Sequence, residues 1–394
     1  MNQDLYDGLL QLEVSPDTNI QAEFRRQERQ NGDVFLQDRP ELDKRESDDS
    51  DSWRLGMRHL FSPQSAMIAN FTHIDHQNSL MNSLVKAAVS DDAYSTEAQH
   101  LYRFEHADVV NEASYYQDEQ QCRETNIFAR PFLCKQAQTD IQNAKLYHYS
   151  TFNLPSTAFW TLGFSGDYMK NAYIDGTTFN PKFGLTWLAT PETTLRFAAF
   201  KTTKHSLTNN QTIEPTQVAG FNQLFDDPDA TRSWRVGAGI DHRLSDNMMV
   251  GYEWSQRRLK EPFSLEFVTD DSWKVFYQRL QRAYWNVIFR EGLVGTLDYQ
   301  YSDMGAFQAQ SLVTHKVPFG LSFFDANGLS ANLKTTFYHQ QGEFLTPSRT
   351  LESKRSSFVT VDLSAHYRLP NRHGKLTLGV LNLLDKDFLY TDFD

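Results

Sequence analysis

Apolar and polar residues alternate with period 2 along much of this chain. In residues 233–259, Trp234, Val236, Ala238 and Ile240 share one parity, while Arg235, Gly237, Gly239, Asp241 and Arg243 occupy the other. Ser245, Asp246 and Asn247 interrupt the run. Met248, Val250, Tyr252 and Trp254 then alternate with Gly251, Glu253, Ser255 and Arg257. Successive side chains of a strand point to opposite faces, so the segment predicts a hairpin with one apolar and one polar face. The unit recurs around turns at 62–65, 190–193 and 370–374, and more weakly around 15–18, where Ser, Pro, Asp, Asn and Gly supply turn chemistry.

The pattern predicts eighteen strands: 5–14, 19–28, 52–61, 66–75, 97–105, 109–118, 142–153, 158–168, 182–190, 194–203, 232–244, 247–259, 274–288, 293–303, 311–323, 329–340, 357–369 and 375–384. Their connections alternate in length. Short turns lie near 15–18, 62–65, 106–108, 154–157, 191–193, 245–246, 289–292, 324–328 and 370–374. Long polar segments lie near 29–51, 76–96, 119–141, 169–181, 204–231, 260–273 and 341–356. A soluble sandwich does not need this alternation. A transmembrane β-barrel does, with short periplasmic turns and long extracellular loops. Strands of about 9–11 residues cross the apolar layer when tilted, and a closed barrel leaves no backbone edge unpaired in lipid. The expected fold is therefore an all-β, antiparallel transmembrane barrel, with residues 1–394 as a single domain. Trp53, Trp160, Trp187, Trp234, Trp254 and Trp273 fall near predicted strand ends, as an interfacial girdle would place them.

Composition supports this reading. Aromatics reach 13% while hydrophobic residues total only 40%, which suits strands with one wet face better than a thick core. No stretch approaches the roughly 18 consecutive apolar residues of a membrane helix. The net charge of −12 argues against nucleic acid as a partner. Two cysteines are too few for a disulfide scaffold or a four-ligand zinc site. Residues 1–8 carry no basic and apolar leader pattern. The strand directions place both ends of the chain on the outer side. Together these features lead us to expect a barrel incomplete at both ends.

Two segments carry a family resemblance. Pro181-Lys182-Phe183-Gly184-Leu185-Thr186-Trp187, followed by Thr190-Pro191-Glu192-Thr193-Thr194-Leu195-Arg196, resembles a hairpin of TonB-dependent outer-membrane receptors. Gly379-Val380-Leu381-Asn382-Leu383-Leu384-Asp385-Lys386-Asp387-Phe388 resembles the motif of their penultimate strand. The segment 211–226 is similar to a loop in receptor-like barrels fused to tetratricopeptide-repeat regions. The resemblance implies a barrel of about 22 strands, of which this chain would hold the fourth through the penultimate. It also implies an integral protein of the Gram-negative outer membrane, in contact with the bilayer and lipopolysaccharide, that in intact form binds and passes a scarce small solute. The residues that match the family include no plug and no TonB box, so TonB-type energy coupling would come only through sequence absent here. The alternative is a polysaccharide-export or porin-type barrel with an upstream periplasmic repeat region. A non-transporting surface protein is a third reading.

Candidate chemistry is sparse. Cys122 and Cys134 share the predicted loop 119–141 and would form a disulfide outside the cell. His73 and Asp75 share a strand face that His76 does not, so a metal site is not expected. No nucleophile-elbow, zinc-protease or phosphate-loop motif occurs, and neither an enzyme nor a cofactor is expected. Arg235, Asp241, Arg243, Glu253 and Arg257 lie on the polar parity of the 233–259 hairpin and are the expected lumen-lining residues. The run 43–51 is expected to be a charged outer loop.

Overall fold

The computed structural model describes residues 2–32, 44–82, 85–126, 138–171, 174–207, 212–262, 273–306, 309–345, 351–370, 373–388 and 390. They are strands and connections, without an α-helix. The strands are β1 (Asn2–Ser15), β2 (Thr18–Asn31), β3 (Arg45–Ser62), β4 (Ser65–Met81), β5 (Val85–Arg103), β6 (Ala107–Asn126), β7 (Gln138–Phe152), β8 (Ala158–Lys170), β9 (Asp175–Thr190) and β10 (Thr193–Thr203). A two-residue pair follows, β11 (Gln217–Val218) and β12 (Phe221–Asn222). The series continues with β13 (Arg232–Ser245), β14 (Met248–Pro262), β15 (Trp273–Arg290), β16 (Leu293–Ala306), β17 (Ala309–Phe324), β18 (Leu329–Leu345), β19 (Leu351–Arg368) and β20 (Lys375–Val380).

Apart from β11 and β12, the strands form one 18-stranded sheet. Each pairs antiparallel with the next, and β10 pairs directly with β13. This is the predicted receptor-like barrel wall. It is open: β1 pairs only with β2 and β20 only with β19 among the described residues. The chain shifts register beside the short turns of the β1–β2, β3–β4, β9–β10, β13–β14 and β15–β16 hairpins. Such bulges raise local twist and help a sheet curve.

The polar parity faces inward. On β13, Ser233 and Arg235 are buried, whereas Trp234, Val236 and Ile240 are exposed on the outer face. These exposed apolar residues continue around the wall as Leu55, Phe71, Leu162, Phe197, Tyr252 and Phe337. A soluble protein rarely leaves such an extensive apolar surface uncovered.

Every predicted strand is present, but several are longer than the alternation indicated. The segments 76–96, 169–181 and 341–356 are mostly ladder rather than loop: Met81 pairs with Lys86, Lys170 with Asp175 and Leu345 with Leu351. The last strand is shorter, ending at Val380. The run 43–51 is likewise not a loop. Asp43 lies outside the described residues, and Arg45 to Asp51 open β3. Backbone pairing does not require an apolar face. Where a strand continues into water on both sides the alternation fades while the hydrogen bonds persist.

Trp53 illustrates the consequence. It lies in mid-strand rather than at a strand end, where outward residues change character. Leu55 and Phe71 lie on one side of it, and Asp51, Asp75 and Asp92 are paired across β3, β4 and β5 on the other. Trp53 to Phe61 is nine residues of β3, within the about 9–11 that a tilted strand needs to cross. Trp254 is also in mid-strand, while Trp160, Trp187, Trp234 and Trp273 keep positions near strand ends.

Candidate lumenal site

The connection between β10 and β13 turns into the space enclosed by the wall. Its β11–β12 hairpin turns at Ala219 and Gly220, both with positive φ (47° and 84°), as a tight two-residue hairpin requires. Val218 and Phe221 flank the turn and have no exposed surface. They pack with Tyr147, Tyr149, Ala198 and Phe200, all inward-facing on β7 and β10. Two glycines make room for them. A Cβ on Gly184 would lie 2.8 Å from Val218, and one on Gly237 would lie 2.4 Å from the Phe221 ring.

Charged groups surround this apolar core. Glu214 forms an ion pair with Lys145 of β7 and lies 3.5 Å from the ammonium of Lys182 of β9. The Tyr149 hydroxyl donates to the same carboxylate at 2.8 Å. Gln223 accepts from Lys182 at 2.7 Å and donates to Tyr149 at 2.9 Å. The Gln99 side-chain amide of β5 donates to the Ile213 carbonyl at 3.0 Å, and the Tyr147 hydroxyl donates to Glu112 of β6. Burial pushes the Glu214 carboxyl up, but Lys145 and Lys182 outweigh it and hold the group below its ordinary value of 4.5. Buried charges persist only when paired and hydrogen-bonded in this way.

A second cluster lies beside the first. Asp167 of β8 accepts from Ser165 at 2.8 Å, from Asn180, and lies 2.9 Å from the His205 ring nitrogen. A cavity of about 120 Å³ between the inturned segment and the wall is lined by Asn143, Lys145, Asp167, Lys182, His205 and Glu214 among others.

The expected lumen residues divide into three groups. Arg235 and Arg257 are buried against the inturned segment. Arg235 donates to the Asn222 carbonyl at 2.6 Å and to Ser255 at 2.8 Å. Arg257 pairs with Asp227 and lies 3.5 Å from the Phe225 ring centroid. Asp241 and Glu253 both hold Arg196 of β10, at 2.8 and 3.2 Å. Arg243 shares β13 with Asp241 but is exposed near the short turn, apart from these ion pairs.

Cys122 is buried on β6 and is not free; Cys134 lies outside the described residues. His73 and His76 face opposite sides of β4, as expected. His73 lies 2.9 Å from Asp92 and stacks on Tyr94, while His76 sits between Asp91 and Asp48.

Sequence reasoning missed Lys145, Lys182, Tyr149 and Glu214. The one available signal was glycine on the inward parity at 184 and 237, which marks a close approach by another backbone or side chain.

No family model and no curated protein sequence matches the chain. Solved structures do. The siderophore receptor PirA from Pseudomonas aeruginosa aligns over 98% of this chain and 68% of its own, with 15% identity and a TM-score of 0.67. A mutant ferric enterobactin receptor, PfeA, from the same organism aligns over 98% and 64%, with 13% identity and a TM-score of 0.69. The FrpB iron transporter from Neisseria meningitidis aligns over 98% and 68%, with 11% identity and a TM-score of 0.72. The chain thus spans about two thirds of the length of these receptors. At this level of identity the likeness establishes architecture: the chain has the β-barrel fold of TonB-dependent receptors.

Proposed function

We propose that this chain is the membrane-embedded wall of an outer-membrane receptor that binds a scarce small solute and passes it inward. The observation that carries the reading is the combination of an apolar outer face with a charged interior crossed by the segment 212–231. Arg235, Asp241, Glu253 and Arg257 would shape the solute path, and a Cys122–Cys134 disulfide would brace the outer end of β6. Lipid and lipopolysaccharide are the surrounding partners. The unpaired edges of β1 and β20 support a further proposal, that additional strands close the wall, because lipid cannot satisfy bare backbone groups. A polysaccharide-export or porin-type barrel is the alternative. The segment across the interior weighs against a permanently open channel.

Expression with a secretion signal, followed by membrane fractionation, tests the location. The chain should be recovered with outer membranes and require detergent for release. Recovery as a detergent-independent soluble monomer would overturn the reading. Solute uptake into proteoliposomes, compared with passive ion conductance, then separates a receptor from a porin.

A further inference from the structure

Three donor groups from two strands converge on one carboxylate that belongs to neither. Lys145 and Tyr149 come from β7 and Lys182 from β9, while Glu214 arrives from the inturned segment. The side chains of Lys182 and Glu214 are each 2% exposed. Asp167, the other nearby carboxylate, lies 3.9 Å from Lys145 and is held by Ser165, Asn180 and His205. On the wall, the Lys182 ammonium lies 5.7 Å from the Tyr149 ring centroid. Its hydrogen-bond and ion-pair partners among the described residues, Gln223 and Glu214, both belong to the inturned segment.

The wall therefore presents an oxyanion site, and the chain's own carboxylate occupies it. Displacing Glu214 would leave Lys182 without an ion-pair partner among the described residues and Lys145 with Asp167 alone, a costly state unless another anion takes its place. The nearby cavity is lined by Lys145, Lys182 and Glu214, so a small molecule in it reaches both ammonium groups. The Val218–Phe221 hairpin also packs on Tyr147, Ala198 and Phe200, contacts that do not involve the Glu214 carboxylate, while Tyr149 touches both.

We propose that Lys145, Tyr149 and Lys182 form a binding site for an oxyanion-bearing small solute, and that Glu214 is its intramolecular competitor. The inference rests on the receptor reading and deepens it by naming the chemical class of the solute. Binding of such a solute would release the 212–216 segment from the wall and so couple occupancy to the conformation of the lumen.

Calorimetric titration of the full chain in detergent tests the site, with citrate and inorganic phosphate as separate probes. Glu214→Gln removes the competing charge and should bind at least one probe about tenfold more tightly than the parent chain. Adding Lys182→Met should abolish that gain. Citrate alone gaining would identify a carboxylate site, and phosphate alone a phosphate site. Neither gaining, or a gain that survives Lys182→Met, would overturn the proposal. A second variant guards against misfolding. With Glu214→Cys, the probe should speed maleimide labelling of the introduced thiol by releasing its segment from the wall, while chloride at equal ionic strength should not. Equal rates in probe and chloride would also overturn it. These readouts do not depend on transport. A chain that binds the probe here but fractionates as a soluble protein would refute the receptor reading and leave the oxyanion site standing.

Discussion

The ion pair between Lys182 and Glu214 is a buried interaction whose partners lie far apart in sequence. Removing one partner of such a pair typically costs about 3–5 kcal/mol, because the other is left charged without water. Lys182→Met should therefore lower unfolding stability in detergent by roughly that amount. Combining it with Glu214→Gln should cost less than the two single losses summed, because the Lys182–Glu214 interaction is then lost once, although Lys145 keeps only Asp167, 3.9 Å away, as a carboxylate partner. Urea unfolding of the parent, two single variants and the double variant measures the coupling. Additive losses would mean that the pair acts as two independent groups. Arg243 provides the contrast. It shares the polar parity of Arg235 but is exposed near a short turn, so Arg243→Ala should change stability by less than about 0.5 kcal/mol.

At the scale of elements, the inturned segment is seated by shape as much as by charge. Phe221 fits against Gly237 so closely that a Cβ there would lie 2.4 Å from the ring. Gly237→Val should unseat the β11–β12 hairpin without breaking the β13 ladder, because Gly237 pairs through its backbone with Ala198 and Ser255. A thiol introduced by Val218→Cys reports the outcome. It should resist membrane-impermeant maleimide in the parent background and react readily in the Gly237→Val background. Equal protection in both would show that the hairpin seats elsewhere. The wall elements follow a different logic. They are held by ladders between sequence neighbours, so the alternation and turn residues sufficed to find all eighteen. Their outer ends escaped notice because Asp48, Asp91 and Glu119 stand in ladders where neither face is apolar.

For the whole molecule, the division into an apolar outside and a charged inside is the property that a membrane would select. Phe197 lies near the middle of β10 and is 42% exposed on the outer face. Phe197→Arg would place a cation among lipid chains, at a cost of about 2–4 kcal/mol at the bilayer midplane. Insertion into liposomes should fall correspondingly, while folding in detergent, where a headgroup can bend toward the charge, should suffer less. Equal insertion of parent and variant would argue that this face is not lipid-facing. The similarity to siderophore and iron receptors over 98% of the chain matches this architecture.

The sequence by itself determined the number of wall strands, which face of each is wet and where the short turns fall. These are local properties: period-2 alternation assigns a residue to a face without knowing what lies opposite. It also identified the polar parity of 233–259, and hence Arg235 and Arg257 as inward groups. Only the tertiary structure decided what fills the interior. Glu214 meets Lys145 across 69 positions of sequence and Tyr149 across 65, and no periodicity links residues so distant. Segment 204–231 looks like any polar loop until the curved wall offers Gly184 and Gly237 as seats and two lysines as counter-charges. Curvature brings those groups together, and curvature is a property of the assembled sheet.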